Sequence, residues 1–179
     1  LYKLWGLDPA AAPLTSFTIG VAPEEELRRK VQEAAEYPLL KVKLGTPNDE
    51  DIIRIIREEA PDKTLRVDAN AGWTPKHALD MIALLAEYGV EFVEQPLPPE
   101  NVEGLRFVRD RSPLPIIGDE SCLIASDIPK LQGVVDGINI KLAKCGGPRE
   151  ALRMVAVARA HDMRVMMGCM IETSVGITT

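Results

Sequence analysis

The sequence predicts an α/β fold of parallel strands joined by helical crossovers, and three features predict it. Short apolar stretches alternate with amphipathic ones along the 179 residues, the pattern that places a helix between each pair of parallel neighbours. Equivalent positions recur at a near-constant pitch, the steps from Lys43 to Asp68, Glu94, Asp119 and Lys141 being 25, 26, 25 and 22 residues, each the length of one strand-helix unit. Finally, no G-x-G-x-x-G or G-x-x-x-x-G-K-[ST] follows a strand, so nucleotide-binding open sheets lose their main support. Periodicity alone admits a barrel or an open doubly wound sheet; the missing glycine motifs favour the barrel.

The elements follow in order. A strand is expected over 16–21 (SFTIGV), then a helix over 23–36. The next strand, 39–45 (LLKVKLG), alternates, so Val42 and Leu44 point to one face while Lys41 and Lys43 point together to the other. A helix over 48–60 carries an apolar stripe of Ile52, Ile53 and Ile56 with Asp49 in its first turn. After a strand at 64–69 comes a helix over 74–89, with Thr74 as cap, Pro75 at the first helical position and Gly89 at the end. Strands at 90–96, 115–120, 137–142 and 164–169 alternate with a weaker helix at 101–110, a short helical stretch at 126–131 and a helix at 148–161.

Composition narrows the function. With 46% hydrophobic and 27% charged residues the chain can bury a sizeable core. A net charge of −6 argues against an extended nucleic-acid surface and suits a small polar substrate. Cys122, Cys145 and Cys169 are odd in number and have no C-x-x-C spacing, against both a disulfide framework and a zinc site; a reducing, cytoplasmic setting is expected. No apolar run approaches the ~18 residues of a membrane span. The chain opens on Leu rather than Met and is expected to be a piece of a longer protein.

Five chemical side chains end five successive strands: Lys43, Asp68, Glu94, Asp119 and Lys141. In a parallel barrel these ends meet at one mouth. Singly, Asp68 or Asp119 reads as a turn or cap residue, and the lysine pair as protection of an edge strand. Leu39, Leu40, Val42 and Leu44 make that strand too apolar for an edge, however, and five such placements together are hard to reach by accident. Three carboxylates at one mouth repel unless a cation neutralises them; an all-oxygen set suits Mg²⁺. A lysine becomes a useful base as its pKa falls towards neutrality, which burial, a cation and a neighbouring ammonium promote, so Lys41 is expected to tune Lys43. Lys141 would face Lys43 across the mouth, allowing a proton to leave on one side and return on the other.

The stretches KVKLG, RVDANAGW, VEQPLPP, GDES, NIKLAKCGG and GCMIETSVG together resemble the barrel of the enolase superfamily, muconate lactonizing enzyme subgroup. They look most like the dipeptide epimerases acting on L-Ala-D/L-Glu and related dipeptides. The resemblance spans almost the whole chain; the ordered set is highly specific for the superfamily and less so for the epimerases. It implies a TIM-type barrel, (β/α)7β in the full protein, with about seven β/α units in this sequence. Residues 1–15 would be the tail of an N-terminal capping domain and its linker, and 16–179 the barrel domain without its eighth strand; the capping domain is largely absent.

The same resemblance implies Mg²⁺ as cofactor, with Asp68, Glu94 and Asp119 as its ligands. Lys43 and Lys141 would be the acid–base pair and Lys41 the supporting lysine beside a metal-bound carboxylate. The expected reaction takes the α-proton next to the metal-bound carboxylate of a dipeptide with one lysine and reprotonates the enediolate from the opposite face, the general pattern of superfamily sites. Asn70, Glu172 and Thr173 are expected at the substrate pocket, with turn and helix-cap roles as equal readings. Met166, Met167 and Met170 are expected in the core or pocket wall. His77 is expected on a solvated helix face and His161 at a helix C-terminus. An N-acylamino acid racemase, an o-succinylbenzoate synthase or a muconate cycloisomerase would share every residue named, and a non-catalytic barrel is the reading outside enzymes. The partner is expected to be a dipeptide or N-acyl amino acid, not nucleic acid or membrane, with a homo-oligomer left open. The resemblance also implies that the Asp-x-Asp segment gripping the dipeptide ammonium in the epimerases lies outside these 179 residues, so the sequence is expected to define the chemistry more closely than the substrate.

Overall fold

Seven strands form where they are expected, and they pair in sequence order. The computed structural model describes residues 2–177. Its elements run β1 (Phe17–Ile19), α1 (Glu24–Glu33), β2 (Leu39–Lys43), α2 (Asp49–Glu59), β3 (Thr64–Asp68), α3 (Pro75–Glu87), β4 (Val90–Glu94), α4 (Val102–Arg109) and β5 (Ile116–Gly118). A 3-10 helix (Ala125–Leu131) leads to β6 (Gly137–Lys141), α5 (Leu142–Cys145), α6 (Pro148–Ala160), β7 (Arg164–Gly168) and α7 (Ser174–Ile177). All pairings are parallel, in the order β1-β2-β3-β4-β5-β6-β7, and the sheet curls into part of a barrel. Among the described residues β1 pairs only with β2 and β7 only with β6, so the sheet does not close.

The core lies between the outer face of the sheet and the helices. Leu40, Val42, Leu65, Val67, Val93, Ile138 and Ile140 meet Ile52, Ile53 and Ile56 of α2, Met81, Ile82 and Leu85 of α3, and Leu105 and Val108 of α4. All are buried, and a fully buried aliphatic side chain of this size contributes ~1.5–3 kcal/mol. Because strand residues alternate, burying Leu40 and Val42 against helices turns Lys41 and Lys43 to the inside of the curl.

Several details depart from expectation. The fifth strand is shorter than 115–120 and ends before Asp119, and the 126–131 stretch is a 3-10 helix with Pro129 inside it. One turn of helix, α5, follows Lys141 directly and stops at Gly146, whose φ of 85° is left-handed. Before β1 the described residues hold a single 3-10 turn, Pro9–Ala11, and no α-helix. Of the methionines expected in the core or pocket wall, Met166 is half-buried whereas Met167 and Met170 are exposed. Met167 alternates onto the helix side of β7, and the short α7 buries no residue there. Among the described residues no helix is long and apolar enough to cross a membrane.

Candidate active site

Register brings the predicted side chains together. Lys43 pairs with Asp68, and Asp68 with Glu94, across β2, β3 and β4. Asp119 follows β5 and Lys141 closes β6. The three carboxylate residues are completely buried and Lys41 and Lys141 nearly so. Ammonium groups bind their oxygens directly. Lys41 Nζ lies 2.9 Å from Asp68 Oδ2 and 2.7 Å from Glu94 Oε2, and Lys43 Nζ donates to the same Asp68 oxygen at 2.7 Å and to Asn70 Oδ1 at 2.9 Å. On the far side Lys141 Nζ donates to Asp119 Oδ2 at 2.6 Å. Lys144, on α5, reaches both Asp119 oxygens at 3.0 Å.

The loops around this mouth are locked. Asp49, at the start of α2, accepts from the backbone N–H groups of Gly45 and Thr46 and from Trp73 Nε1, joining the loop after β2 to the loop after β3. The two loops approach so closely that a Cβ on Gly45 would stand 2.3 Å from the Ala69 carbonyl. Inside the curl, Asn139 Nδ2 donates to Glu94 Oε1 at 2.8 Å, and a Cβ on Gly168 would run into the Asn139 amide.

Charge at the mouth is balanced by proximity. Burial works against the ionised form of Asp68, but Lys41 and Lys43 outweigh it and hold its carboxyl down to about 2. Glu94 goes the other way: burial and the charge of Asp68 raise it despite Lys41. Burial lowers the pKa of Lys141, but the bond to Asp119 and the nearby Glu94 prevail and hold it above the usual lysine value. Lys41 is likewise raised, the attraction of Glu94 and Asp68 exceeding the cost of burial.

The donor set suits a hard divalent cation in type, being three carboxylates from neighbouring strands with no sulfur or imidazole among them. Glu94 Oε2 takes no hydrogen bond, its 2.7 Å approach to Lys41 being an ion pair of poor angle. Among the described residues, however, no three His, Cys, Asp or Glu side chains converge tightly enough to hold a metal. A cation bound there would share these carboxylate oxygens with the ammonium groups that hold them.

Comparison with known proteins fits this geometry. The family described as Enolase C-terminal domain-like matches residues 24–179. The chain belongs to that family. It is 47% identical to the L-Ala-D/L-Glu epimerase of Bacteroides thetaiotaomicron, over 99% of this chain and 46% of that protein. Among solved structures it is similar to the dipeptide epimerase from Enterococcus faecalis V583 complexed with Mg and dipeptide L-Leu-L-Tyr, with a TM-score of 0.88 at 40% identity over 92% of this chain and 49% of that one. The dipeptide epimerase from Cytophaga hutchinsonii complexed with Mg and dipeptide D-Ala-L-Val gives a TM-score of 0.92 at 29% identity, covering 99% and 50% of the two chains. The chain spans about half the length of the curated relatives it matches.

Within this enolase-type domain, Lys41, Lys43, Asp68, Asn70 and Glu94 form one linked network, and Asp119 with Lys141 forms a second pair beside it, joined to it through Gln95. Asn70 lies beside the lysine pair, accepting from Lys43 while its own N–H donates to Asp68 Oδ1 at 3.0 Å. Glu172 and Thr173 make their hydrogen bonds elsewhere: Glu172 Oε1 accepts from Met170 N–H within the loop before α7, and Thr173 Oγ1 accepts from Gly176 N–H at the start of α7. His77 is exposed on α3 and His161 caps the C-terminus of α6, as expected. Three residues of the network escaped the sequence reading. Lys144 repeats Lys141 three positions on, a spacing that one helical turn stacks. Asn139 lies two before Lys141 on the same strand face. Gln95 stands directly after Glu94 and bonds Asp119 N.

Proposed function

We propose that the protein is a Mg²⁺-dependent dipeptide epimerase of the L-Ala-D/L-Glu type, acting by 1,1-proton transfer at the C-terminal residue of the dipeptide. One observation carries this reading: lysines at the ends of β2 and β6 flank three buried carboxylates at the ends of β3, β4 and β5. Asp68, Glu94 and Asp119 would hold Mg²⁺, which when bound supplies positive charge where the substrate carboxylate gains negative charge. Lys43 and Lys141, separated by three strands of a curled sheet, are the acid–base pair on opposite faces. Each is already oriented by a carboxylate on its own side, Asp68 or Asp119. Lys41, shared between Asp68 and Glu94, keeps these two carboxylates together as the supporting lysine. The relatives bound to Mg and a dipeptide support the metal and the substrate class. Residues 16–179 would form the barrel domain of the protein, and free Cys122, Cys145 and Cys169 suit a cytoplasmic location.

The test uses the whole protein with Mg²⁺ in D₂O and follows α-proton loss by NMR across pooled L,L and L,D dipeptides and N-succinyl amino acids. Exchange with inversion at the C-terminal residue of a dipeptide is the expected result. Exchange confined to N-succinyl compounds would replace the epimerase with a racemase, and no exchange at all would point to a lyase or cycloisomerase.

A further inference from the structure

Gln95 is completely buried, and its backbone stands at φ 37°, in the left-handed region that a side chain such as glutamine rarely adopts. Asn70 (φ 45°) and Ala71 (φ 59°) share that region. The two strained segments are bonded to each other, Ala71 N–H donating to the Gln95 carbonyl at 2.8 Å. Conformations of this kind are strained and persist where surrounding contacts enforce them.

The side chain of Gln95 uses its amide fully. Oε1 accepts from Asp119 N–H at 2.8 Å and from Ser121 N–H at 3.2 Å. Nε2 donates to the Leu97 carbonyl and to Ser121 Oγ, both at 2.8 Å. Its own N–H donates to the Ile117 carbonyl at 2.8 Å. One residue therefore adjoins Glu94 in the chain, holds the backbone of Asp119 by its amide, and holds the turn that follows Asp68 by its carbonyl. Glutamate could not substitute, because both of its oxygens accept and one would face the Leu97 carbonyl.

We infer that Gln95 is the positioning residue that sets the relative placement of Asp68, Glu94 and Asp119, and that divalent-cation affinity depends on its amide. The inference rests on the metal reading of these carboxylates. Outer partners that orient metal ligands change affinity by roughly 10–100-fold when removed.

The experiment measures Mn²⁺ binding to the whole protein from the electron paramagnetic resonance signal of free Mn²⁺. It compares wild type, Gln95→Met, which keeps the volume and removes the hydrogen bonds, and Ile82→Ala, which opens a cavity in the helix-side core. Gln95→Met is expected to bind Mn²⁺ at least fivefold more weakly, while Ile82→Ala melts earlier and binds as wild type does. A smaller loss in Gln95→Met, or an equal loss in Ile82→Ala, would overturn the inference. Should Gln95→Met fail to fold, Ser121→Ala removes one amide partner; weaker Mn²⁺ binding is again expected, and unchanged binding overturns the inference. Absence of binding by wild type would overturn the metal reading itself and this inference with it.

Discussion

Cations line both ends of the strands, and they face different partners. At the C-terminal mouth Lys41, Lys43, Lys141 and Lys144 face buried carboxylates. At the N-terminal foot they mostly face backbone carbonyls. Lys63 Nζ donates to the carbonyls of Ala34, Ala35 and Tyr37, where α1 ends. Arg57 donates to those of Tyr88, Ala60, Pro61 and Lys63, where α3 and α2 end. The foot thus uses charge to satisfy carbonyls that helix ends leave open and to complement their dipoles. The mouth instead concentrates what a stable fold avoids. Among the described residues, three of the four non-glycine positions with positive φ lie there, as does the buried Asn139 Oδ1, which takes no hydrogen bond. Strain and unpaired polar groups collect where chemistry requires them.

The largest expected effect separates the two ends. Lys141→Met should lower the epimerisation rate by ~10²–10⁴-fold, the usual contribution of a positioned proton-transfer group. Its melting temperature should move little, because Lys144 stays 3.0 Å from both Asp119 oxygens and the buried charge keeps a partner. Rate and melting measured on one preparation check this. Retained activity, or a loss explained by unfolding, would break the division of labour between mouth and foot.

The foot variant reverses the pattern. Arg57→Met leaves several carbonyls short of a donor, and hydrogen bonds to a charged group are worth roughly 1.5–3 kcal/mol each, so unfolding free energy should fall by about that much or somewhat more. The folded fraction should keep its turnover. Urea unfolding read beside the rate at low temperature checks both halves, and a drop in rate without a drop in stability would mean that the foot is coupled to the site.

How much of this was legible depended on whether the signal was local. The strand ends could be read because one chemical residue recurs at each turn of a regular repeat, from Lys43 to Lys141, and a parallel sheet brings such positions to one end. Lys144 could not: α5 is a single turn, too short to show periodicity. Gln95 was hidden because its meaning lies in bonds across β4 and β5, set by register rather than by neighbours in sequence. Met167 was misplaced since an apolar residue does not reveal what, if anything, covers it.

The smallest effect belongs to cations at neither end. Arg28 links α1 to α2, binding Glu24 at 2.7 Å, Glu58 at 3.0 Å and Glu59 at 2.6 Å. Hydrogen bonds from Arg28 are the main reason that the carboxyls of Glu58 and Glu59 sit below the usual range. A carboxyl lowered by folding stabilises the fold above its unfolded pKa, and that support disappears as pH falls through the lowered value. The cluster should therefore steepen acid destabilisation slightly below the ordinary glutamate range, and being solvated it should be screened by salt. In Arg28→Gln, NMR titration should find Glu58 and Glu59 raised towards ordinary values, with a shallower acid slope in the melting curve. Wild type in high salt should approach the same slope, while turnover at neutral pH stays as it was. If Arg28→Gln also slowed turnover, surface, foot and mouth would have to be treated as one electrostatic unit rather than three.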